Sequence, residues 1–119
     1  MKGKPFYHRL MFALAGWRFA FQNEASFRAE TFAAIGAITV TVWLHPPAIW
    51  SALVMIMVTL VLAAELFNTA LENLLDGLHP EQAKFVLVAK DCSAAAVLLL
   101  SMASVVVFAL MLLEITGYY

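Results

Sequence analysis

The stretch AIWSALVMIMVTLVLAAELFNTALENLLD, residues 48–76, decides the fold. From Ala48 to Leu71 it is an apolar run in which Glu65 is the sole charge before Glu72. A helix needs roughly 20 mostly apolar residues at about 1.5 Å each to cross the hydrocarbon layer of a bilayer. Two further apolar stretches flank this one. Residues 27–44 carry Arg28 and Glu30 near their start, and residues 93–113 carry no charge at all. Between the first two stands His45-Pro46-Pro47, a break that a helix does not cross, because proline disfavours helix in the residue before it and cannot continue one. In lipid every backbone N–H and C=O must be satisfied within the segment, which selects helices over open strands. The sequence therefore predicts an all-α membrane protein with three transmembrane helices, at about 27–44, 48–71 and 93–113.

Composition leads to the same class. Of 119 residues, 64% are apolar and 13% charged, against roughly 45–50% and about 25% in soluble domains. A soluble chain this short has too little interior to hide so much apolar surface. The formal net charge of −1 excludes an electrostatic nucleic-acid binder. A single cysteine, Cys92, excludes an intrachain disulfide and a thiolate metal cluster. No repeat or linker interrupts the chain, so residues 1–119 read as one domain. No cleaved leader is expected: Arg9, Arg18 and Arg28 break up the first apolar stretch, and no small-residue cleavage site follows it.

Ahead of the first span, residues 6–25 mix apolar Leu10, Phe12, Leu14, Trp17 and Phe21 with polar Arg9, Arg18, Gln22 and Asn23. That mixture suits an amphipathic helix on the membrane surface. Its apolar positions do not fall on one clean face, so part of it should pack on the spans. Lys2, Lys4, Arg9, Arg18 and Arg28 precede the first span, and Lys84 and Lys90 lie between the second and third. The turn at 45–47 and the tail after Leu113 hold no lysine or arginine. The positive-inside rule then places the N-terminus and the 72–92 connection in the cytoplasm and the C-terminus outside.

The end of the second span carries the chemistry. At about 100° per residue, and relative to Glu65, Asn68 lies at about −60°, Thr69 at about +40°, Glu72 at about −20° and Asp76 at about +20°. Three carboxylates and an amide thus form one stripe rising out of the membrane. By the same topology Glu24 and Glu30, and the pair Lys90-Asp91, come to that depth. Carboxylates gathered so closely repel one another unless cations lie between them. An all-oxygen donor set suits Mg²⁺, which is typically held by one or two carboxylates together with substrate phosphates. The pattern points to a Mg²⁺–nucleotide site. Snorkelling and interhelical pairing are sufficient accounts of Arg28, Glu81, Lys84 and Glu114. They do not account for the stripe, since an ionisable group at a helix centre costs roughly 2.5–3.5 kcal/mol on insertion scales. An ion path through a small oligomeric transporter or channel subunit is the competing use of such a stripe. His8, His45 and His79 form no ligand spacing, and Trp17, Trp43 and Trp50 read as interfacial anchors.

NEASFRAE (23–30), AELFNTALENLLD (64–76) and AKDCSAAAVLL (89–99) resemble the prokaryotic diacylglycerol kinase family, which includes the undecaprenol kinases. The resemblance covers nearly the whole chain. Its specific element is the combined E-x-x-N-[ST]-A-x-E-x-x-x-D, followed fourteen residues later by KD. There is no G-x-x-x-x-G-K-[ST] loop and no glycine-rich kinase loop, and this family lacks both. The resemblance implies a homotrimer in the bacterial inner membrane with composite active sites, ATP arriving from the cytoplasm and the lipid from the bilayer. Glu65 would be the general base on the lipid hydroxyl, with Asn68 beside it. Glu24 and Glu72 would hold Mg²⁺. Lys90, Asp91 and Asp76 would contact ATP, and Arg18, Arg28 and Glu30 would lie near the lipid headgroup.

Some positions depart from the family pattern. Pro5 stands where an ATP-contacting arginine is expected, with Arg9 nearby. Phe12 replaces a tyrosine of the nucleotide site, keeping the ring without the hydroxyl. Glu81-Gln82-Ala83 aligns with an ATP-contacting segment. Phe85-Val-Leu-Val-Ala89 lacks a basic residue frequent in the undecaprenol branch, which, together with the NEASFR box, favours diacylglycerol as substrate over undecaprenol.

Overall fold

The computed structural model describes residues 3, 5–79, 81 and 83–118, and these contain four helices and no strand. Helix α1 spans Phe6–Asn23, α2 Ala25–Leu44, α3 Ala48–Leu78 and α4 Lys84–Ile115. Three of them, α2, α3 and α4, are long and apolar enough to cross a membrane. At about 1.5 Å per residue, the 20 residues of α2 match a hydrocarbon layer of roughly 30 Å. The 31 residues of α3 and the 32 of α4 exceed it by several turns. Both extend past the apolar runs read from the sequence, and the extra turns carry Glu72, Asp76, Lys90 and Asp91.

One residue separates the first two helices. Glu24 is extended, with φ −118° and ψ 112°, so α1 ends at Asn23 and α2 starts at Ala25. The Arg28 guanidinium closes this corner: Nη1 donates to the carbonyls of Phe21 (2.8 Å) and Gln22 (3.1 Å). Those are carbonyls of the last turn of α1, which have no intrahelical partner, and a cation there also complements the helix dipole. The side chains of Trp17 and Phe27 pack edge to face across the same corner, with centroids 5.3 Å apart. Ala20 and Phe27 are fully buried there. Helix α1 therefore packs on both α2 and α3, as its uneven apolar distribution required. Phe6, Tyr7, Met11 and Leu14 remain exposed along it.

At the other end of α2 the chain reverses at His45, which adopts the left-handed conformation (φ 49°, ψ 55°) and is followed by Pro46-Pro47. The most extensive packing is between α3 and α4, with α2 against α3 next. Val54 and Val61 of α3, Ala34 of α2, and Val86 and Met111 of α4 form the thin apolar core. Trp50, near the start of α3, donates its indole N–H to Glu114, near the end of α4 (2.5 Å). Trp50 is thus more than a surface anchor, and Glu114 is a helix-end charge satisfied by an interhelical partner. The antiparallel pairing leaves one end of the molecule with the 45–47 turn and the C-terminus. The other end gathers the α1–α2 corner, the C-terminal half of α3 and the start of α4.

Candidate functional site

The acidic stripe on α3 is graded in burial. Glu65 is 3% exposed, Asn68 and Glu72 are half-buried, and Asp76 is exposed. A helix that leaves an apolar layer produces this gradient without any further device. Packing supplies the rest, because each of the other two polar motifs is tied to the stripe by one contact.

The first contact joins the α1–α2 corner to the stripe. Ser26, in the first turn of α2, donates its hydroxyl to Glu65 Oε2 at 3.2 Å. Glu24, Glu30 and Glu72 lie within electrostatic reach of Glu65. The second contact joins α4. Lys90 Nζ donates to Asp76 Oδ1 at 2.6 Å across the α3–α4 connection. Along the stripe itself, Asn68 Nδ2 donates to Glu72 Oε1, leaving Asn68 Oδ1 buried and without a partner. The hydroxyl of Thr69, one turn on from Glu65, is likewise buried and unpartnered. Buried polar atoms normally have partners, and these two neighbouring atoms have none among the described residues.

The structure thus brings together Glu24, Glu30, Glu65, Asn68, Glu72, Asp76 and Lys90. Other expected residues stand apart. Asp91 is exposed and its side chain forms no hydrogen bond among the described residues. Phe12 and Arg18 are exposed on α1. Glu81 faces His79 (3.3 Å) and not the stripe, and its carboxyl sits below the usual carboxylate range because its own backbone amide, and then His79, favour the charged form. Arg28 is engaged in closing the α1–α2 corner. Gln82, Lys2 and Lys4 lie outside the described residues. Ser26 is the residue that sequence reading passed over. It lies within NEASFRAE, but a serine in the first turn of a span carries no signal of its own.

Glu30 stands at one end of a groove of about 480 Å³ between α2, α3 and α4. The walls are otherwise almost wholly apolar, among them Ala37, Val58, Val61 and Phe108. A groove with a carboxylate at its polar end and hydrocarbon along its length has the form of a site for an amphiphile. Among the described residues no three acidic, histidine or cysteine side chains are placed to hold a metal ion by themselves.

Comparison with known proteins bears on the same residues. Residues 11–112 match the family described as prokaryotic diacylglycerol kinase, a range that takes in most of α1, all of α2 and α3, and nearly all of α4. The chain is 41% identical over 106 residues to a diacylglycerol kinase of Synechocystis sp., covering 86% of this chain and 59% of that protein. It is 35% identical over 97 residues to the diacylglycerol kinase of Escherichia coli (strain K12), covering 82% and 80%. With the diacylglycerol kinase of Haemophilus influenzae the identity is 37% over 86 residues, covering 72% and 73%. The chain therefore spans less than two thirds of the Synechocystis protein's own length, and about four fifths of the Escherichia coli one.

Proposed function

Because this chain belongs to the prokaryotic diacylglycerol kinase family, we propose that it transfers the γ-phosphoryl group of ATP to the free hydroxyl of diacylglycerol, giving phosphatidic acid and ADP. The observation that carries this reading is the position of Glu65. It is a buried carboxylate at the apolar end of a polar stripe whose other end pairs with Lys90. A lipid alcohol has its hydroxyl at the rim of the hydrocarbon and ATP has its phosphates in water, so a phosphoryl transfer between them needs a site graded in this way.

The steps follow from the placement. The acyl chains lie in the groove beneath Glu30, which brings the lipid hydroxyl to the depth of Glu65. Glu65 takes the hydroxyl proton as the oxygen attacks the γ-phosphorus and the bond to the β-phosphate oxygen breaks. Lys90, held by Asp76, faces the phosphates, and Asn68 fixes Glu72. Bound Mg²⁺, for which Glu24 and Glu72 would be the protein ligands, would neutralise the phosphate charge. Phosphoryl transfer demands positioning and charge stabilisation more than covalent chemistry, and the stripe offers both. The assembly is a homotrimer, and its neighbouring subunits bring Asp91, Phe12, Arg18 and Glu81 toward the nucleotide and headgroup. The protein sits in the bacterial inner membrane, with the stripe at the cytoplasmic face, the N-terminus inside and the C-terminus periplasmic. The abundance of lysine and arginine at the stripe end and their absence from the opposite end support that orientation.

The test is transfer of labelled phosphate from ATP to a short-chain diacylglycerol in mixed micelles containing Mg²⁺, with undecaprenol assayed beside it. Transfer to diacylglycerol that Glu65→Gln reduces by about 100-fold or more supports the reading. Preferential transfer to undecaprenol would move the substrate to the isoprenoid alcohol. A folded protein that phosphorylates neither lipid would overturn it.

A further inference from the structure

Glu65 has two carboxylate oxygens, and the structure treats them differently. Oε2 accepts the hydroxyl of Ser26 at 3.2 Å, whereas Oε1 accepts no hydrogen bond from the described residues. Ser26 comes from α2 and Glu65 from α3, 39 positions apart, so this bond is a product of helix packing and not of local sequence. It is also the sole side-chain hydrogen bond between α2 and α3 among the described residues. A buried carboxylate with no donor is free to rotate and costs free energy to keep charged. One donor on one oxygen restrains the rotation of the group and leaves the other oxygen without a donor among the described residues. A base that must meet a hydroxyl within hydrogen-bonding reach gains most from that constraint.

We propose that Ser26 is a positioning residue for the phosphoryl-transfer site: its hydroxyl holds Glu65 by Oε2 so that Oε1 is presented to the lipid hydroxyl. The proposal rests on the kinase reading above and adds a residue to it. Ser26 touches neither the lipid nor ATP and acts only through Glu65. Its place in the first turn of α2, two residues from the Glu24 hinge, couples the α1–α2 corner to the base. Phe27, fully buried beside it, anchors that turn, so the hydroxyl is delivered by a packed element.

Four variants assayed with diacylglycerol and Mg²⁺–ATP test this: Ser26→Ala, Ser26→Thr, Glu65→Gln and the Ser26→Ala/Glu65→Gln pair. Ser26→Ala is expected to lower kcat by about tenfold, the size of one hydrogen bond to a charged group, with the KM for ATP unchanged. Ser26→Thr, which keeps the hydroxyl, should recover most of the loss. In the Glu65→Gln background Ser26→Ala should have no further effect, because the group it positions has been replaced. A purely structural contribution would add to the Glu65→Gln loss, and that additivity would overturn the proposal. So would an unchanged kcat in Ser26→Ala, or a loss that threonine does not recover. Transfer by the wild-type protein in the same assay separates the two levels: if it is absent, the kinase reading falls and the proposal with it. If wild type transfers phosphate and Ser26→Ala equals it, the proposal alone falls.

Discussion

Lys90 Nζ and Asp76 Oδ1 stand 2.6 Å apart and join the water-facing ends of α3 and α4. Asp76 is largely exposed, so water and salt screen this pair and it adds little to stability. On the proposed reading, the pair holds a cation beside the phosphates of ATP. Lys90→Met should accordingly raise the KM for ATP by about tenfold, as loss of one charge-assisted contact does, while the thermal midpoint in detergent hardly moves. A large drop in the midpoint with an unaltered KM would mean that the lysine serves the fold.

Glu72 accepts a hydrogen bond from Asn68, and its other carboxylate oxygen accepts none among the described residues. Glu72→Gln keeps the side-chain shape and an acceptor for Asn68 but loses the charge. Transfer to diacylglycerol should fall by about 100-fold or more, the scale of removing one electrostatic stabiliser. The residual rate should depend less steeply on Mg²⁺ than the wild-type rate does. A titration of Mg²⁺ at fixed ATP checks this, with the melting curve as the control for folding. An unchanged Mg²⁺ dependence would remove Glu72 from the metal's ligands.

The sequence carried the helices and the stripe because both are periodic signals within one segment. Glu65, Asn68, Glu72 and Asp76 share a face whatever α3 packs against, so spacing alone placed them together. Lys90 was legible for a related reason: a short connection forces the start of α4 back beside the end of α3. Ser26 was not, since its contact depends on the angle at which α2 meets α3. It depends too on how α2 leaves α1, with Glu24 outside the helical conformation, Arg28 bonded to the end of α1 and Phe27 buried at the corner. None of these three leaves a periodic trace. Trp50 and Glu114 were likewise each readable as belonging to a membrane boundary, but only the register of α3 against α4 pairs them.

That pair lies at the end of the molecule remote from the stripe and gives a prediction about stability alone. Trp50→Phe removes the indole donor and leaves the Glu114 carboxylate at the C-terminal end of α4, where the helix dipole is unfavourable to a negative charge. The destabilisation should be about 1 kcal/mol, reduced from the value for a buried charge because Glu114 is exposed. Glu114→Gln, which retains an acceptor and removes the charge, should cost less than Trp50→Phe. Thermal unfolding in one detergent compares the two, and kcat for lipid phosphorylation should be the same in both. The reverse order of midpoints would show that the charge of Glu114, and not the indole donor of Trp50, ties α3 to α4.

His45 is the one non-glycine residue with positive φ among those described, at φ 49°. It ends α2 in the left-handed conformation, where a β-carbon crowds the following carbonyl and glycine is the favoured occupant. Its ring nitrogen comes no nearer than 3.4 Å to the Trp43 carbonyl, so the side chain gives little in return. His45→Gly therefore relieves the strain. Glycine also gives the unfolded chain more freedom, which offsets part of the gain. Pro46 limits that freedom, since the residue before a proline is restricted whatever its type. A net stabilisation of about 0.5 kcal/mol should remain, seen as a rise in thermal midpoint. His45→Ala keeps the β-carbon and should show no such rise. If alanine and glycine raised the midpoint equally, the imidazole itself would be the source of the strain, and the backbone conformation would cost nothing measurable.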